Sequence, residues 1–180
     1  MKLRSLFATL AGLFISLPST ATSLVGQPAP DFRLQDQAGE WHTPEQYLGQ
    51  WVVLYFYPKD DTPGCTTEAK AFRDSIGEFA DINAVVIGVS LDDVESKAAF
   101  AEKYDLPFPI LADVDKQAAE SYNVVMKIGT MTLAKRETFL IGPDGVIARH
   151  YPQVKPDTHT GEVLDGLRTL GAGAETDTTS

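Results

Sequence analysis

Trp51-Val52-Val53-Leu54-Tyr55-Phe56-Tyr57 runs directly into Pro58-Lys59-Asp60-Asp61-Thr62-Pro63-Gly64-Cys65-Thr66, and the join between these two pieces decides the fold. The first piece is apolar without alternation, the pattern of a strand covered on both faces. The second is a Pro- and Gly-punctuated turn that ends in a cysteine. Behind it, Ala69, Phe72, Ile76 and Phe79 recur at helical spacing, while Lys70, Arg73, Asp74 and Glu78 turn outward. Residues 84–89 then repeat the apolar pattern of the first run. Strand, helix and strand in this order predict a right-handed crossover between parallel strands.

Reading outward, residues 25–30 are held extended by Pro28 and Pro30. Residues 31–34 and 39–42 are expected to pair as a short hairpin across Gln35-Asp36-Gln37-Ala38. A second helix starts after Asp92, which stands three before Glu95 as in a capping box with Asp in place of Ser or Thr, and it runs to about Tyr104. Pro107-Phe108-Pro109 leads into an extended Ile110-Leu111-Ala112, and residues 117–122 form a short helix. Residues 137–141 and 146–150 flank Gly142-Pro143-Asp144-Gly145, a hairpin signal. Residues 158–170 close as a helix with Val163, Leu164, Leu167 and Leu170 on its apolar side. Thr130 and Thr132 fall in a segment with no assignment. There is no repeat and no internal linker, so one α/β domain over residues 24–170 is expected. The small, polar residues 171–180 read as a disordered tail.

The first 23 residues read differently. Lys2 and Arg4 precede an apolar stretch, residues 6–17, that is too short to span a bilayer, and Pro18-Ser19-Thr20-Ala21-Thr22-Ser23 supplies small residues for cleavage. This is the pattern of a secretory signal peptide, which places the mature protein across the inner membrane, in the periplasm, and no longer attached to a membrane. Without Lys2 and Arg4, 13 basic residues face 25 acidic ones, a net charge of −12. That balance offers no footprint for nucleic acid or anionic lipid. The single cysteine excludes an intrachain disulfide. His42, His150 and His159 lack ligand spacing, so no metal is expected, and none of the motifs calls for a cofactor.

The position of Cys65 gives it a role. A core cysteine belongs inside an apolar strand or stripe, whereas this one sits in a Thr-Pro-Gly turn at a helix start. There, unpaired N–H groups and the positive end of the helix dipole favour thiolate over thiol. An unperturbed thiol of pKa about 8.5 is only about 3% ionised at pH 7, and lowering it to about 6 requires roughly 3.4 kcal/mol. A helix terminus contributes about 0.3–2 kcal/mol. A second cation is therefore needed, and Arg136 is the candidate; Lys59 is offset by Asp60 and Asp61, which read as a solvated loop. Tyr55 and Phe56 read as core.

The succession of strands and helices, with a cysteine at the first long helix, resembles the thioredoxin-like peroxiredoxins over most of the mature chain. Val25-Gly26-Gln27-Pro28-Ala29-Pro30-Asp31-Phe32 is similar to their opening segment. Pro58, Thr62 and Cys65 fill the family's Pro-x-x-x-Thr-x-x-Cys motif, and Arg136 precedes Thr138-Phe139-Leu140-Ile141 as the family's second-strand arginine does. The wording Thr62-Pro63-Gly64-Cys65-Thr66, followed by Phe72-Arg73-Asp74, most resembles the Q-type, or bacterioferritin-comigratory, branch. The resemblance implies an α/β thioredoxin-like fold: a central mixed sheet flanked by helices, with an N-terminal β-hairpin extension.

It also implies a thiol-dependent peroxidase acting on hydrogen peroxide and small organic hydroperoxides. Cys65 would be the peroxidatic nucleophile, Thr62 and Arg136 would grip the peroxide oxygens, and Pro58 would shield the thiolate. Two-cysteine members of the branch often carry a resolving cysteine five residues further on, where this chain has Lys70. A one-cysteine mechanism is thus implied, with an external thiol that is thioredoxin-like, glutaredoxin-like or of low molecular weight. A monomer or weak homodimer is expected. The competing readings are a cysteine hydrolase, which needs a general base beside the thiol, and a redox-responsive holdase or interaction module without turnover, which has no use for Pro58, Thr62, Cys65 and Arg136 together.

Overall fold

Alternate side chains of the central strand enter two different cores. The structure, a computed structural model, describes residues 23–173. The expected leader, but for Ser23, and the tail from residue 174 onward lie outside the described residues. In chain order the elements are β1 (Leu34–Gln35), β2 (Trp41–His42), a 3₁₀ turn (Pro44–Tyr47), β3 (Trp51–Phe56), α1 (Pro63–Asp74), α2 (Ile76–Asp81), β4 (Ala84–Ser90), α3 (Val94–Tyr104) and β5 (Ile110–Ala112). There follow α4 (Gln117–Ser121), β6 (Val125–Ile128), β7 (Met131–Ala134), β8 (Glu137–Ile141), β9 (Ile147–Tyr151) and α5 (His159–Thr169). Seven strands form one sheet in the order β2-β1-β5-β4-β3-β8-β9. The pairs β3–β4 and β4–β5 are parallel, and the other neighbours are antiparallel.

Because side chains alternate across a strand, Val53 and Tyr55, with Tyr57 just beyond β3, pack against Cys65, Ala69, Phe72, Phe79, Phe100, Val163 and Leu167 from the helices α1, α2, α3 and α5. Val52, Leu54 and Phe56 pack the other way, against Phe32, Leu34, Ala118, Ala119, Tyr122 and Phe139. This is the two-sided burial that the unbroken apolar run implies, and the mixed sheet flanked by helices is the thioredoxin-like architecture.

Four local details depart from the sequence reading. The helical pattern over residues 69–79 is two helices, because Ser75 leaves helical geometry (φ −104°, ψ 10°) while Phe72 and Phe79 both stay buried. The cap of α3 is Asp93, whose carboxylate accepts the Ser96 N–H at 2.9 Å. Asp92 instead accepts the Ser90 hydroxyl and the Asp60 N–H. Thr130 and Thr132 belong to the separate β6–β7 hairpin, which turns at Gly129 with φ +60°. Finally, Ala172 is buried and its N–H donates to the Leu167 carbonyl at 3.0 Å, so packed chain continues past Leu170. No described helix is long and apolar enough to cross a membrane.

Candidate active site

Parallel strands deliver their loops to one end of the sheet, and β3 delivers the loop of residues 57–62 to the start of α1. Thr62 is the N-cap residue, with extended φ −91° and ψ 152°, and Pro63 takes the first helical position, where its missing N–H costs nothing and its fixed φ suits the helix. Cys65 lies in that first turn, where N–H groups have no carbonyl one turn earlier to bond. Its side chain is buried, 1% exposed.

The register of β3 against β8 pairs Phe56 with Glu137, so the next residue out, Arg136, faces the same end. Its guanidinium spans two partners: Nη2 donates to Cys65 Sγ at 3.1 Å, and Nη1 donates to Glu68 Oε2. Gly64 makes room for this approach, since a Cβ there would stand 3.3 Å from Arg136 Nη2 and 3.7 Å from Pro156 Cγ. Glu68 is three residues after Cys65, on the same helix face, and is wholly buried. Burial pushes its carboxyl up to about 7, against the opposing pull of Arg136. Burial also holds the Tyr55 hydroxyl well above its usual range, with Glu68 and Cys65 adding to the effect.

The four residues singled out in the sequence fall at the same end of the sheet, where only Cys65 and Arg136 are bonded to each other. Cys65 and Arg136 are in contact. Thr62 is half-buried, and its hydroxyl donates to the Lys59 carbonyl at 3.0 Å; it makes no side-chain cap bond to α1. Pro58 is half-buried at the end of β3. Lys59 is exposed.

Asp60 requires a correction. It is not solvated: it is 7% exposed and accepts from Lys97 Nζ at 2.9 Å, from the Tyr57 hydroxyl at 2.6 Å and from the Ser96 hydroxyl at 2.8 Å. The reason is Lys97, a cation buried on the inner face of α3 that a solvated Asp60 would leave with only the more distant Asp92, 4.0 Å away. Asp61 is exposed and binds Lys103 and the Tyr104 hydroxyl, each at 2.6 Å.

Glu68 and Lys97 are the residues that sequence reasoning missed. The signal for each was a charged residue sharing the helix face of apolar ones: Glu68 beside Ala69 and Phe72, Lys97 beside Phe100 and Ala101. The histidines all have other partners. His42 meets Tyr47 and Asp36, His150 meets Glu137, and His159 meets Thr138. Cys65 therefore has an arginine beside it and no imidazole base, which removes the hydrolase reading.

Known proteins resemble this chain in sequence and in fold. Residues 25–150 match the AhpC/TSA family. Peroxiredoxin Bcp of Bacillus subtilis is 43% identical over 150 residues, covering 81% of this chain and 96% of the relative. Among solved structures, PrxQ of Xylella fastidiosa superposes with a TM-score of 0.77 at 36% identity, covering 81% of this chain and 96% of that one. Peroxidoxin BcpB of Mycobacterium tuberculosis gives 0.76 at 35% identity, over 81% and 97% of the two chains. A sheet that brings a lone, buried cysteine and an arginine together at a helix start, in a chain this similar to those proteins, leaves one assignment: the chain belongs to the AhpC/TSA family and is a peroxiredoxin of the Q or Bcp type, a thiol peroxidase.

Proposed function

We propose that this peroxidase works with one cysteine, reducing hydrogen peroxide and small organic hydroperoxides at Cys65 and taking its reducing electrons from an external thiol. The observation that carries this is the 3.1 Å contact between Arg136 Nη2 and Cys65 Sγ at the first turn of α1, in a chain with no second cysteine. The thiolate attacks one peroxide oxygen. An S–O bond forms as the O–O bond breaks, and the departing oxygen leaves as hydroxide, or as alkoxide from an organic hydroperoxide, and takes up a proton. Thiolate population alone accounts for at most a roughly 30-fold gain over an unperturbed thiol. The larger part of the acceleration comes from donors already aimed at the oxygens as charge builds on them. Those donors are the Arg136 guanidinium, the N–H groups around Cys65 and, after it exchanges its bond to Lys59, the Thr62 hydroxyl. Pro58 covers the thiolate on its strand side.

Cys65 is left as sulfenic acid. An external thiol attacks Sγ and expels water, leaving a mixed disulfide. A second thiol then frees Cys65 and carries away a disulfide. The reductant is thioredoxin-like, glutaredoxin-like or a small thiol. Residues 1–23 are assigned as a leader that exports the protein to the periplasm; intact mass of protein from its native host, showing Met1 removed and a start near Thr22 or Leu24, tests that part.

Graded peroxide followed by mass spectrometry tests the mechanism. One equivalent is expected to give Cys65 sulfenic acid that dimedone traps, and excess is expected to drive it to sulfinic acid with loss of activity. Lys70→Cys is expected to divert part of the sulfenic acid into an intrachain disulfide if α1 unwinds there. Wild-type protein that survives excess peroxide with no added thiol would show the one-cysteine mechanism to be wrong.

A further inference from the structure

Helix α3 carries a lysine, Lys97, whose hydrogen bonds go to the loop before Cys65 and to β4, not to Cys65 itself. Its side chain has 0% exposure. All three protons of its ammonium have acceptors: Asp60 Oδ1 at 2.9 Å, the Tyr57 hydroxyl at 2.9 Å and the Ser90 hydroxyl. Asp92 Oδ2 lies 4.0 Å away, and the Tyr57 ring lies 4.7 Å from Nζ. Stability alone does not explain such a residue, because replacing a buried ion pair with apolar side chains of similar volume is often neutral or stabilising. What the pair does supply is a fixed position for Asp60.

Asp60 is two residues from Pro58 and two from Thr62. Its carboxylate accepts from Lys97, Tyr57 and Ser96, and its own N–H donates to Asp92 Oδ2 at 2.9 Å. The next residue, Asp61, has φ +55°, a left-handed conformation that costs a non-glycine residue roughly 1 kcal/mol or more. It too is tied to α3, through Lys103 and Tyr104. The loop thus makes a strained turn whose two acidic residues are both clamped by α3. Directly after the clamp the chain enters Thr62 and the first turn of α1. Loop and helix are set by the same anchor.

We propose that Lys97 is a positioning residue for peroxide reduction: through Asp60 it locks residues 58–62 in the turn that aims Thr62 and the N–H groups at the start of α1 toward the peroxide on Cys65. This rests on the roles given above to Thr62 and to those N–H groups. It predicts that loosening the clamp slows attack on peroxide far more than it slows reaction of the thiolate with an electrophile that needs no aimed donors.

The test is the double variant Lys97→Met/Asp60→Asn, which removes the ion pair without leaving one charge buried alone. Three quantities are read: the melting temperature, the second-order rate constant of Cys65 with hydrogen peroxide, and the rate of alkylation by iodoacetamide across pH. The expected result is a folded protein whose peroxide rate constant falls about 100-fold, the scale of a 1 Å misplacement, while the alkylation profile stays close to wild type. A folded double variant with the wild-type peroxide rate overturns the proposal. So does an alkylation rate that falls in step with the peroxide rate, because Lys97 would then act on the thiolate itself. If the double variant does not fold, Ser96→Ala carries the test by removing only the bond to Asp60 Oδ2: a slower peroxide reaction with unchanged alkylation supports the clamp, and no change overturns it. Failure of the peroxidase reading would show separately, as wild-type protein that consumes no peroxide.

Discussion

The two faces of β3 are built to different rules. On the side of Val52, Leu54 and Phe56 the strand meets mainly apolar side chains, with Phe32, Ile87, Val89, Leu111 and Phe139 closing around them. The buried Asp113 carboxylate there accepts from the Ala118 and Ala119 N–H groups of α4. On the side of Tyr55 and Tyr57 the helices bury polar and ionised groups: Cys65, Glu68, Lys97 and His159, each at most 1% exposed. Four buried atoms among the described residues lack a protein hydrogen-bond partner, namely Tyr55 Oη, Glu68 Oε1, His159 Nδ1 and Thr160 Oγ1, and all belong to this second side. A buried group without a partner costs about 1–3 kcal/mol. Both faces bury apolar side chains, but only the second sets its reactive groups among them, so a residue's face forecasts what its substitution will damage.

The strongest test of that division is Arg136→Ala. It removes the donor to Cys65 Sγ and leaves Glu68 buried with no counter-ion. Loss of one preorganised donor to a developing negative charge lowers rates by roughly 10²–10³-fold, and the peroxide rate constant is expected to fall by that amount. The measurement should extend to high pH, where any thiol is ionised. Recovery of the full rate there would mean that Arg136 only populates the thiolate, and the case for an arginine that acts in the transition state would fail.

Leu54→Ala probes the opposite face. Leu54 is fully buried, and truncating such a side chain costs about 2–5 kcal/mol through lost transfer energy and the cavity left behind. Denaturant unfolding is expected to show this loss, while the peroxide rate constant, measured where the variant is folded, stays at the wild-type value. A large fall in that rate would show that the two faces of β3 are coupled, and the comparison would break.

The same division explains what was legible in the sequence. Apolar patterning located β3, β4, α1 and α5, because each must bury an apolar face and only a few spacings do so, and a capping pattern located α3. The resemblance of Pro58, Thr62, Cys65 and Arg136 to the peroxiredoxin motif pointed to the end of the sheet where Cys65 and Arg136 meet. The β6–β7 hairpin escaped because Lys127, Ile128 and Met131 are all exposed and leave no alternation. The burial of Asp60, Glu68 and Lys97 is not legible in the sequence, for one shared reason. A buried charge is recognisable only with its partner, and the partners Asp60–Lys97 and Glu68–Arg136 are 37 and 68 residues apart in the chain. The cap of α3 lies one residue beyond the sequence expectation because Asp92 and Asp93 are adjacent and only the bond to Ser96 tells them apart.

Glu68→Gln sharpens the comparison by the smallest expected effect, a change in the slope of stability against pH. The folded carboxyl titrates at about 7 against an ordinary value of 4.5, with burial as the main cause. Between those values the unfolded chain has released the proton while the folded protein still holds it. Stability from this group is therefore fully present below about pH 4.5 and declines as pH rises toward 7, by at most about 1.4 kcal/mol per pH unit. In Glu68→Gln that decline should vanish, whatever constant offset the lost ion pair introduces. His159 titrates in the opposite sense, because burial depresses its pKa, so the quantity to follow is the difference between the wild-type and Glu68→Gln curves. A difference that falls from pH 5 to 7 shows a carboxyl kept neutral by the reactive face. A flat difference shows that Arg136 holds Glu68 ionised throughout, and the burial of that face is then matched by its charges more closely than its unpartnered atoms suggest.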